Sequence, residues 1–487
     1  MPRLIPAQLQ TWTQGLLIQT PEAEQHSERF YRGISTDTRT LRSGEVFLAL
    51  IGENFDGHDF VNQAIKKGSK MLILDEESEQ AMALYNDIRH GKNIPDLLLV
   101  PDTLKAYQQI AEGYRSTLLA SLIGITGSVG KTTTRRMTAA ILATQLKLHQ
   151  TSKNENNQIG LPRTLLSADD EDEVILAEMG MDHRGEIKIL SEVAKPDISI
   201  ITGVGYSHAE YLGSRETILK EKTDIISGMK SNGIVLINGQ DTHLNAWALK
   251  FKSTTTVWRI CNEYTEVGKD FEKFPVFWAE DIKIGIDGTS FIAKTSLDPE
   301  VAWPVKISTP GKYLIRAALF GLASAYALGL DMDEAVKGVQ NFTNTGNRQR
   351  MVIKNNYLMI DDSYNSSPES VTAALDTLSM LAGDRRKIAC ISGMKELGKY
   401  AEDLHTNIGY RIAEVGIDLL YLVGTESEWI STAVKQINPE IPIKIYETSD
   451  EVAAEVIKEI KQDDCILVKG SRGYRMENIS ALIESQV

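Results

Sequence analysis

The sequence predicts an α/β protein of three domains, and three observations carry that prediction. Apolar runs of strand length, such as "SLIGIT", "EVILAEMG" and "ISIITGVG", alternate with helical stretches over most of the chain. Near-continuous apolar strands in that alternation belong to mostly parallel sheets covered by helices on both faces. The chain has 487 residues, which at roughly 150 per domain suggests about three domains. The glycine-rich stretch "GITGSVGKTTT" lies between an apolar run and a helical one, the setting of a phosphate-binding loop.

Residues 1–104 read as a small α/β N-terminal domain. "EVFLALIG" and "KMLILDE" are its strands, "HDFVNQAIKKGS" is a helix, and "NDIRHGKNIPDLLLVPD" adds one more strand. Residues 105–340 read as a central P-loop-type domain with a mostly parallel sheet. It opens with the helix "LKAYQQIAEGYRS", then strand, glycine loop and the helix "KTTTRRMTAAILATQLK". "GIVLING" is a further strand and "RETILKEKTDIISGM" a helix. The stretch from "KSTTTVW" to "SFIAKT" is rich in aromatic and β-branched residues, which predicts an antiparallel appendage. The helix "YLIRAALFGLASAYALG" closes the section. In residues 341–487, "YLMIDDS", "KIACISG", "DLLYLVG", "IKIYE" and "DCILVKG" alternate with helical stretches. That pattern predicts a C-terminal, Rossmann-like doubly wound domain.

Composition narrows the function. Hydrophobic residues make up 42% and charged residues 24%, as in ordinary globular proteins. No run approaches the roughly 18 apolar residues of a membrane span. "MPRLIPAQLQTW" lacks the features of a signal peptide. Three scattered cysteines, Cys261, Cys390 and Cys465, speak against a disulfide framework or zinc cluster and fit a reducing cytoplasm. The net charge of −14, with no basic stripe to oppose it, excludes nucleic acid as the expected partner. An anionic small molecule needs locally positive pockets instead.

The glycine loop supplies one. A phosphate site needs backbone N–H groups converging at a helix N-terminus, glycines for close approach, a lysine for the terminal phosphates and a hydroxyl for Mg²⁺. Gly127 and Gly130 bracket Ser128 and Val129, then come Lys131, Thr132 and Thr133. Ile125 stands where the long P-loop has its first glycine, so the loop is a shorter variant. Glu178 ends the strand "EVILAEMG", and His208 follows the strand of "ISIITGVGYSH". Ligands gather at the carboxyl ends of such strands, where a carboxylate and an imidazole can hold a divalent cation. Each also has a plainer reading, as a helix cap or a satisfied buried histidine. Their common origin in the phosphate-loop sheet favours the ligand role.

With these residues in view, "TGSVGKTTT", "TSKNENNQIGLPRTLL", "LAEMGMDHRGEIKILSEVAKPDISIITGVGYSHAEYLGSRE" and "IDDSYNSSPES" resemble the Mur ligase family. "ISTDTRTLRSGEVFLALIGENFDGHDF" and "VKGSRGYRME" extend the likeness over about residues 31 to 480. "DDSYNSSP" and "TSKNENNQIGLP" are similar to the branch that adds D-alanyl-D-alanine.

The resemblance implies an ATP- and Mg²⁺-dependent ligase of peptidoglycan precursor synthesis, cytoplasmic and monomeric, without membrane insertion. It would join D-alanyl-D-alanine to UDP-N-acetylmuramoyl-tripeptide through an acyl phosphate. The first domain would hold the uridine nucleotide, the second ATP and the third the dipeptide. Gly127 to Thr133 would bind ATP phosphates, with Lys131 on the β/γ oxygens. Thr132 and Glu178 would ligand one Mg²⁺, and His208 would help hold a second. Lys222 aligns with the family's carbamoylated lysine, whose carboxylate bridges toward metal and acyl phosphate; Lys220 lies two residues away and competes for that assignment. Asn154 and Asn157 resemble an amide pair near substrate and nucleotide. Arg348 and Asp362 would reach ATP from the third domain. Tyr364, Asn365 and Ser366 resemble the dipeptide-side loop, and Ser35, Asp37, Thr38 and Arg39 the uridine-nucleotide site. Each of these polar residues equally suits a turn or a cap.

The chain also departs from the family pattern. Tyr313 replaces a histidine and Ala317 an asparagine expected at adenine, while Gly393 and Gly203 replace an aspartate and an asparagine. The residues leave other readings open: a sister or polyglutamate-type ligase, a regulatory ATPase, or a non-catalytic paralogue. Joining three sections at one site further implies that the domains swing together on ligand binding.

Overall fold

Three main sheets, each with its own helices, organise the protein. The computed structural model describes residues 2–20, 30–92, 94–264, 273–344, 346–354 and 357–486. The first sheet has five strands in the order Leu16–Ile18, Asp96–Val100, Met71–Asp75, Val46–Leu48, Ile34–Ser35. All pair in parallel except the edge strand Leu16–Ile18. The expected helix at "HDFVNQAIKKGS" starts as the 3-10 turn Gly57–Phe60 and continues as Val61–Lys66.

The central sheet has nine strands: Asp298–Ile307, Gly288–Thr295, Val276–Gly285, Thr256–Glu263, Ile234–Asn238, Ile198–Ile201, Ser121–Thr126, Val174–Glu178 and Leu148–Gln150. The expected antiparallel appendage is found in its later part and corrected in its earlier part. Thr256–Glu263 and Val276–Gly285 pair in parallel and extend the main sheet. Val276–Gly285 then pairs antiparallel with Gly288–Thr295, which pairs antiparallel in turn with Asp298–Ile307, and residues 265–272 of that stretch lie outside the described ones. The aromatic richness has a packing cause. Trp258 and Phe277 stack at 5.7 Å, and both meet Tyr326 of the helix Lys312–Ala327. They bury into one core with Ile123, Leu319 and Phe320.

Ser121–Thr126 lies between Ile198–Ile201 and Val174–Glu178. Their carboxyl ends therefore present the glycine loop, the segment leading to His208, and Glu178 side by side.

The third sheet runs Arg350–Lys354, Tyr357–Asp362, Cys465–Lys469, Lys387–Ser392, Leu419–Val423, Ile443–Tyr446. The first pair is antiparallel and the rest are parallel. Cys261, Cys390 and Cys465 are all buried. Burial pushes the Cys390 thiol up strongly and that of Cys465 to about 12. Among the described residues no helix is long and apolar enough to cross a membrane.

Candidate active site

The phosphate loop is shaped by its glycines. Gly127 has φ +147°, and a Cβ there would fall 1.9 Å from Thr202 Oγ1. Only glycine allows that approach. Thr202 Oγ1 donates to Val129 O at 2.6 Å, and Ser128 N donates to Gly203 O at 2.9 Å, so the loop is tied to the neighbouring strand end. Gly130, with φ +91°, stands at the N-cap of the helix Lys131–Leu142. No side chain caps that end, which leaves its N–H groups and positive dipole for an anion. Lys131 Nζ donates to Gly127 O at 2.6 Å. Burial holds the Lys131 ammonium below its ordinary value, with Glu178 opposing and Arg348 adding to the shift. Thr133 is half-buried in the same first turn.

Glu178 is buried and heavily engaged. Thr132 Oγ1 lies 3.2 Å from both of its carboxylate oxygens. Arg135 Nε donates to Oε2 at 3.3 Å, and Asn156 Nδ2 to Oε1 at 3.2 Å. Arg135 is itself buried and also bonds Gln150.

Lys222 and Lys220 separate cleanly. Lys222 is 2% exposed, and its ammonium has no hydrogen bond or ion pair among the described residues. Burial, then the charge of Lys131, hold its amine well below the ordinary lysine value. Lys220 is an exposed side chain 3.7 Å from Asp224. His208 has φ 63° and sits at the N-cap of the short helix Ala209–Leu212. Its Nδ1 lies 2.7 Å from Glu396 and 3.4 Å from Asp182. The imidazole thus faces two carboxylates rather than Glu178.

The third sheet contributes from the opposite side. Arg348 stacks 4.0 Å from the ring centroid of Tyr364, and the Tyr364 hydroxyl bonds Asn154 of the central section. Asp362 ends its strand buried, with Lys469 Nζ at 2.8 Å and Gln349 N at 3.2 Å. Burial pushes its carboxyl up, against the pull of Lys469 and Arg348. Asn365 O accepts from Lys469 at 2.9 Å, and Asn365 Oδ1 accepts from Ser366 N at 2.9 Å. Ser366 Oγ is buried without a partner among the described residues. Asn157 acts locally: its Oδ1 accepts from the amides of Ile159 and Gly160, at 3.2 and 2.9 Å, where the helix Gly160–Ser167 begins.

Ser35 to Arg39 form a self-bonded turn. Ser35 Oγ donates to Asp37 O at 3.0 Å, and Arg39 clamps the Asp37 carboxylate at 2.7 Å. The Arg39 hydrogen bond lowers the Asp37 carboxyl. Thr38 Oγ1 bonds Gln63 Oε1 at 2.6 Å. Next to this turn, Arg163 of the central section reaches Thr36 Oγ1 at 3.4 Å. At the departures from the family pattern, Tyr313 OH accepts from Asn344 at 3.1 Å, and Ala317 is buried in the core of the central sheet.

Arg135, Asn156, Asp182, Glu396 and Lys469 escaped the sequence reading. Arg135 had a signal: it follows Thr132 by three residues on one helix face, toward the end of the neighbouring strand. The others gain meaning only from contacts between sections.

The Thr132–Glu178 pair fits a hard cation. A hydroxyl and a carboxylate converge on one point beside the helix N-terminus, and no group of three or more His, Cys, Asp or Glu able to hold a metal occurs among the described residues. Mg²⁺ suits such a place, because it takes one or two protein ligands and completes its shell with phosphate oxygens and water.

Comparison with known proteins agrees with this architecture. Three family models match: "Mur ligase family, catalytic domain" over residues 30–115, "Mur ligase middle domain" over 125–325, and "Mur ligase, glutamate ligase domain" over 347–472. The UDP-N-acetylmuramoyl-tripeptide–D-alanyl-D-alanine ligase of Bacillus subtilis is 33% identical over 95% of each chain. Its namesake in Escherichia coli is 32% identical over 92% of each. A crystal structure of MurF from Acinetobacter baumannii superposes with a TM-score of 0.84 at 26% identity over 99% of both chains. With phosphate loop, Glu178 and three matching domain models in one molecule, the chain belongs to the Mur ligase family and is an ATP-dependent ligase.

Proposed function

We propose that this ligase joins the amine of D-alanyl-D-alanine to the free carboxylate of UDP-N-acetylmuramoyl-tripeptide, cleaving ATP to ADP and phosphate. In this reading residues 1–104 hold the uridine nucleotide around Ser35 to Arg39, 105–340 hold ATP, and 341–487 hold the dipeptide. The enzyme works in the cytoplasm as a monomer, in peptidoglycan precursor synthesis.

The observation that carries the reading is the contact of Tyr364 with Asn154. It brings the amine-side loop of the third section against the section that carries the phosphate loop, as attack of an amine on an activated carboxylate requires. A peptide carboxylate oxygen attacks the γ-phosphorus of ATP, and the bond to ADP breaks. The amine, having lost a proton, then attacks the acyl carbon, and phosphate leaves with the C–O electron pair. Lys131 and the helix N-terminus at Gly130 offset the charge that builds on the phosphoryl oxygens. Arg348 approaches from the third section and would add to that field. Mg²⁺, held by Thr132 and Glu178, would supply the remaining charge neutralisation between two anions. Asp362 would sit near the nucleotide, with Asn157 beside it.

Burial and the charge of Lys131 favour the neutral amine at Lys222, which supports this role. An amine in its neutral form adds to carbon dioxide, losing one proton and becoming a carbamate anion. The negative group then faces Lys131 instead of a second ammonium doing so. His208, held by Asp182 and Glu396, would complete the acidic rim for a second Mg²⁺.

Phosphate release tests the reading. Turnover is expected only with ATP, UDP-muramoyl-tripeptide and D-alanyl-D-alanine together. Turnover indifferent to the dipeptide would overturn it. A carbamate carbon signal after exposure to ¹³C-bicarbonate, lost in Lys222→Ala and kept in Lys220→Ala, is the expected mark of Lys222.

A further inference from the structure

Glu369 has no role in the chemistry above, yet its carboxylate lies against the phosphate-loop side of the molecule. It belongs to the first turn of the helix Pro368–Ala382, which starts directly after the Tyr364–Ser366 loop. Its Oε1 accepts from Tyr206 N at 3.0 Å, across the boundary between the third and central sheets. A Cβ on the adjacent Gly205 would meet Glu369 Oε1 at 2.2 Å, Cδ at 2.4 Å and Oε2 at 2.8 Å. Gly205 is not among the positive-φ residues, so its backbone tolerates alanine. What a methyl group there would have to displace is the carboxylate from the other section.

The segment that Glu369 grips is wired to the phosphate loop. Gly205 N donates to Ser128 Oγ at 2.8 Å, and Ser128 N donates to Gly203 O at 2.9 Å. Arg215 holds Val204 O at 2.8 and 3.0 Å and stacks on the Tyr206 ring, which also meets Tyr400 of the third section at 5.4 Å. Glu369 Oε2 is buried and has no partner among the described residues. Burying such an oxygen is unfavourable, and a plain surface contact gives no reason to keep it.

We infer that Glu369 is a positioning residue: its carboxylate keys into the space over Gly205 and sets the register between the phosphate loop and the amine-side loop. This rests on the proposed ligase reading for its kinetic consequences, but the contact itself does not. An ATP-induced movement of Ser128 reaches Gly205 and Tyr206, and through Glu369 the start of the helix that carries the Tyr364 loop. The fit is steric and directional, so it specifies one docked arrangement rather than general adhesion.

A double-mutant cycle tests it. Glu369→Ala is expected to lower kcat at least about tenfold, as loss of a hydrogen bond to a charged group does, while ATP affinity and Tm stay near wild type. Glu369→Gln keeps an acceptor for Tyr206 N and should recover activity to within about threefold. Gly205→Ala alone should be impaired like Glu369→Ala or worse. In Gly205→Ala/Glu369→Ala the methyl group has nothing left to displace, and activity should match that of Glu369→Ala alone. Additive losses, or a Glu369→Ala enzyme with unchanged kcat, overturn the inference. Solution scattering of the full chain with a non-hydrolysable ATP analogue separates this from the substrate assignment. Wild type should be more compact than Glu369→Ala even if no tested dipeptide supports turnover, and equal radii count against the inference.

Discussion

The hydroxyl of Thr132 lies 3.2 Å from each carboxylate oxygen of Glu178. One side chain starts a helix and the other ends the neighbouring strand, so the pair joins the phosphate loop to the sheet. Removing the carboxylate should remove the cation with it. Glu178→Ala is expected to lose at least about a thousandfold in turnover while its circular dichroism stays native. A fully active variant would refute the metal assignment.

Arg135 holds Glu178 from behind. Arg135→Met leaves a buried carboxylate without its cation, a change that costs about 3 kcal/mol where such pairs are broken. The urea midpoint should fall accordingly, and higher Mg²⁺ should be needed for half-maximal turnover. An unchanged midpoint would show that Asn156 and Thr132 satisfy Glu178 unaided.

Gly127→Ala places a methyl group 1.9 Å from Thr202 Oγ1, at φ +147°. Strain of about 2 kcal/mol is expected to appear mainly as loss of ATP affinity, by roughly thirtyfold. Isothermal titration would show it, and wild-type affinity would mean that the loop re-forms at no cost.

Tyr364→Phe deletes the hydroxyl that bonds Asn154 and leaves the ring beneath Arg348. The KM for D-alanyl-D-alanine should rise about fivefold, with ATP KM unchanged. Equal effects on both would place Tyr364 with the nucleotide instead.

His405 offers a pH test away from the site. It is fully buried, its Nε2 accepts from Met394 N at 2.8 Å, and burial lowers its pKa from 6.5. The unfolded chain therefore binds this proton more readily than the folded one. Its contribution to stability is complete above 6.5 and declines as pH falls toward the lowered folded value. His405→Gln should flatten that part of the stability profile in urea unfolding. Parallel wild-type and variant profiles would exclude His405 as the titrating group.

The legible parts of the site were those written locally. The loop from Gly127 to Thr133 and Glu178 at a strand end follow from spacing alone, because strand, glycine and helix are neighbours in the chain. Lys222 and Lys220 could not be told apart by pattern, since both lie in one polar helical stretch and only burial separates them. The aromatic strands from Thr256 to Gly285 misled because β-branched and aromatic residues suit any well-packed strand, parallel or antiparallel. Arg135 left a faint trace in helical spacing, whereas Asn156 and Glu369 left none. Their partners lie across the fold, at Glu178 and at Tyr206.

The burial of Cys261, Cys390 and Cys465 has a practical side. Thiols shielded from solvent, with Cys390 and Cys465 also held as unreactive acids, ignore maleimides that attack an exposed thiolate. A cysteine introduced at Leu119, which is 99% exposed, and another at Ile437, 58% exposed, would thus take paired fluorophores or spin labels against a silent background. The native chain is in that sense already prepared as a molecular ruler, on which the separation of its central and third sections can be read directly as a distance.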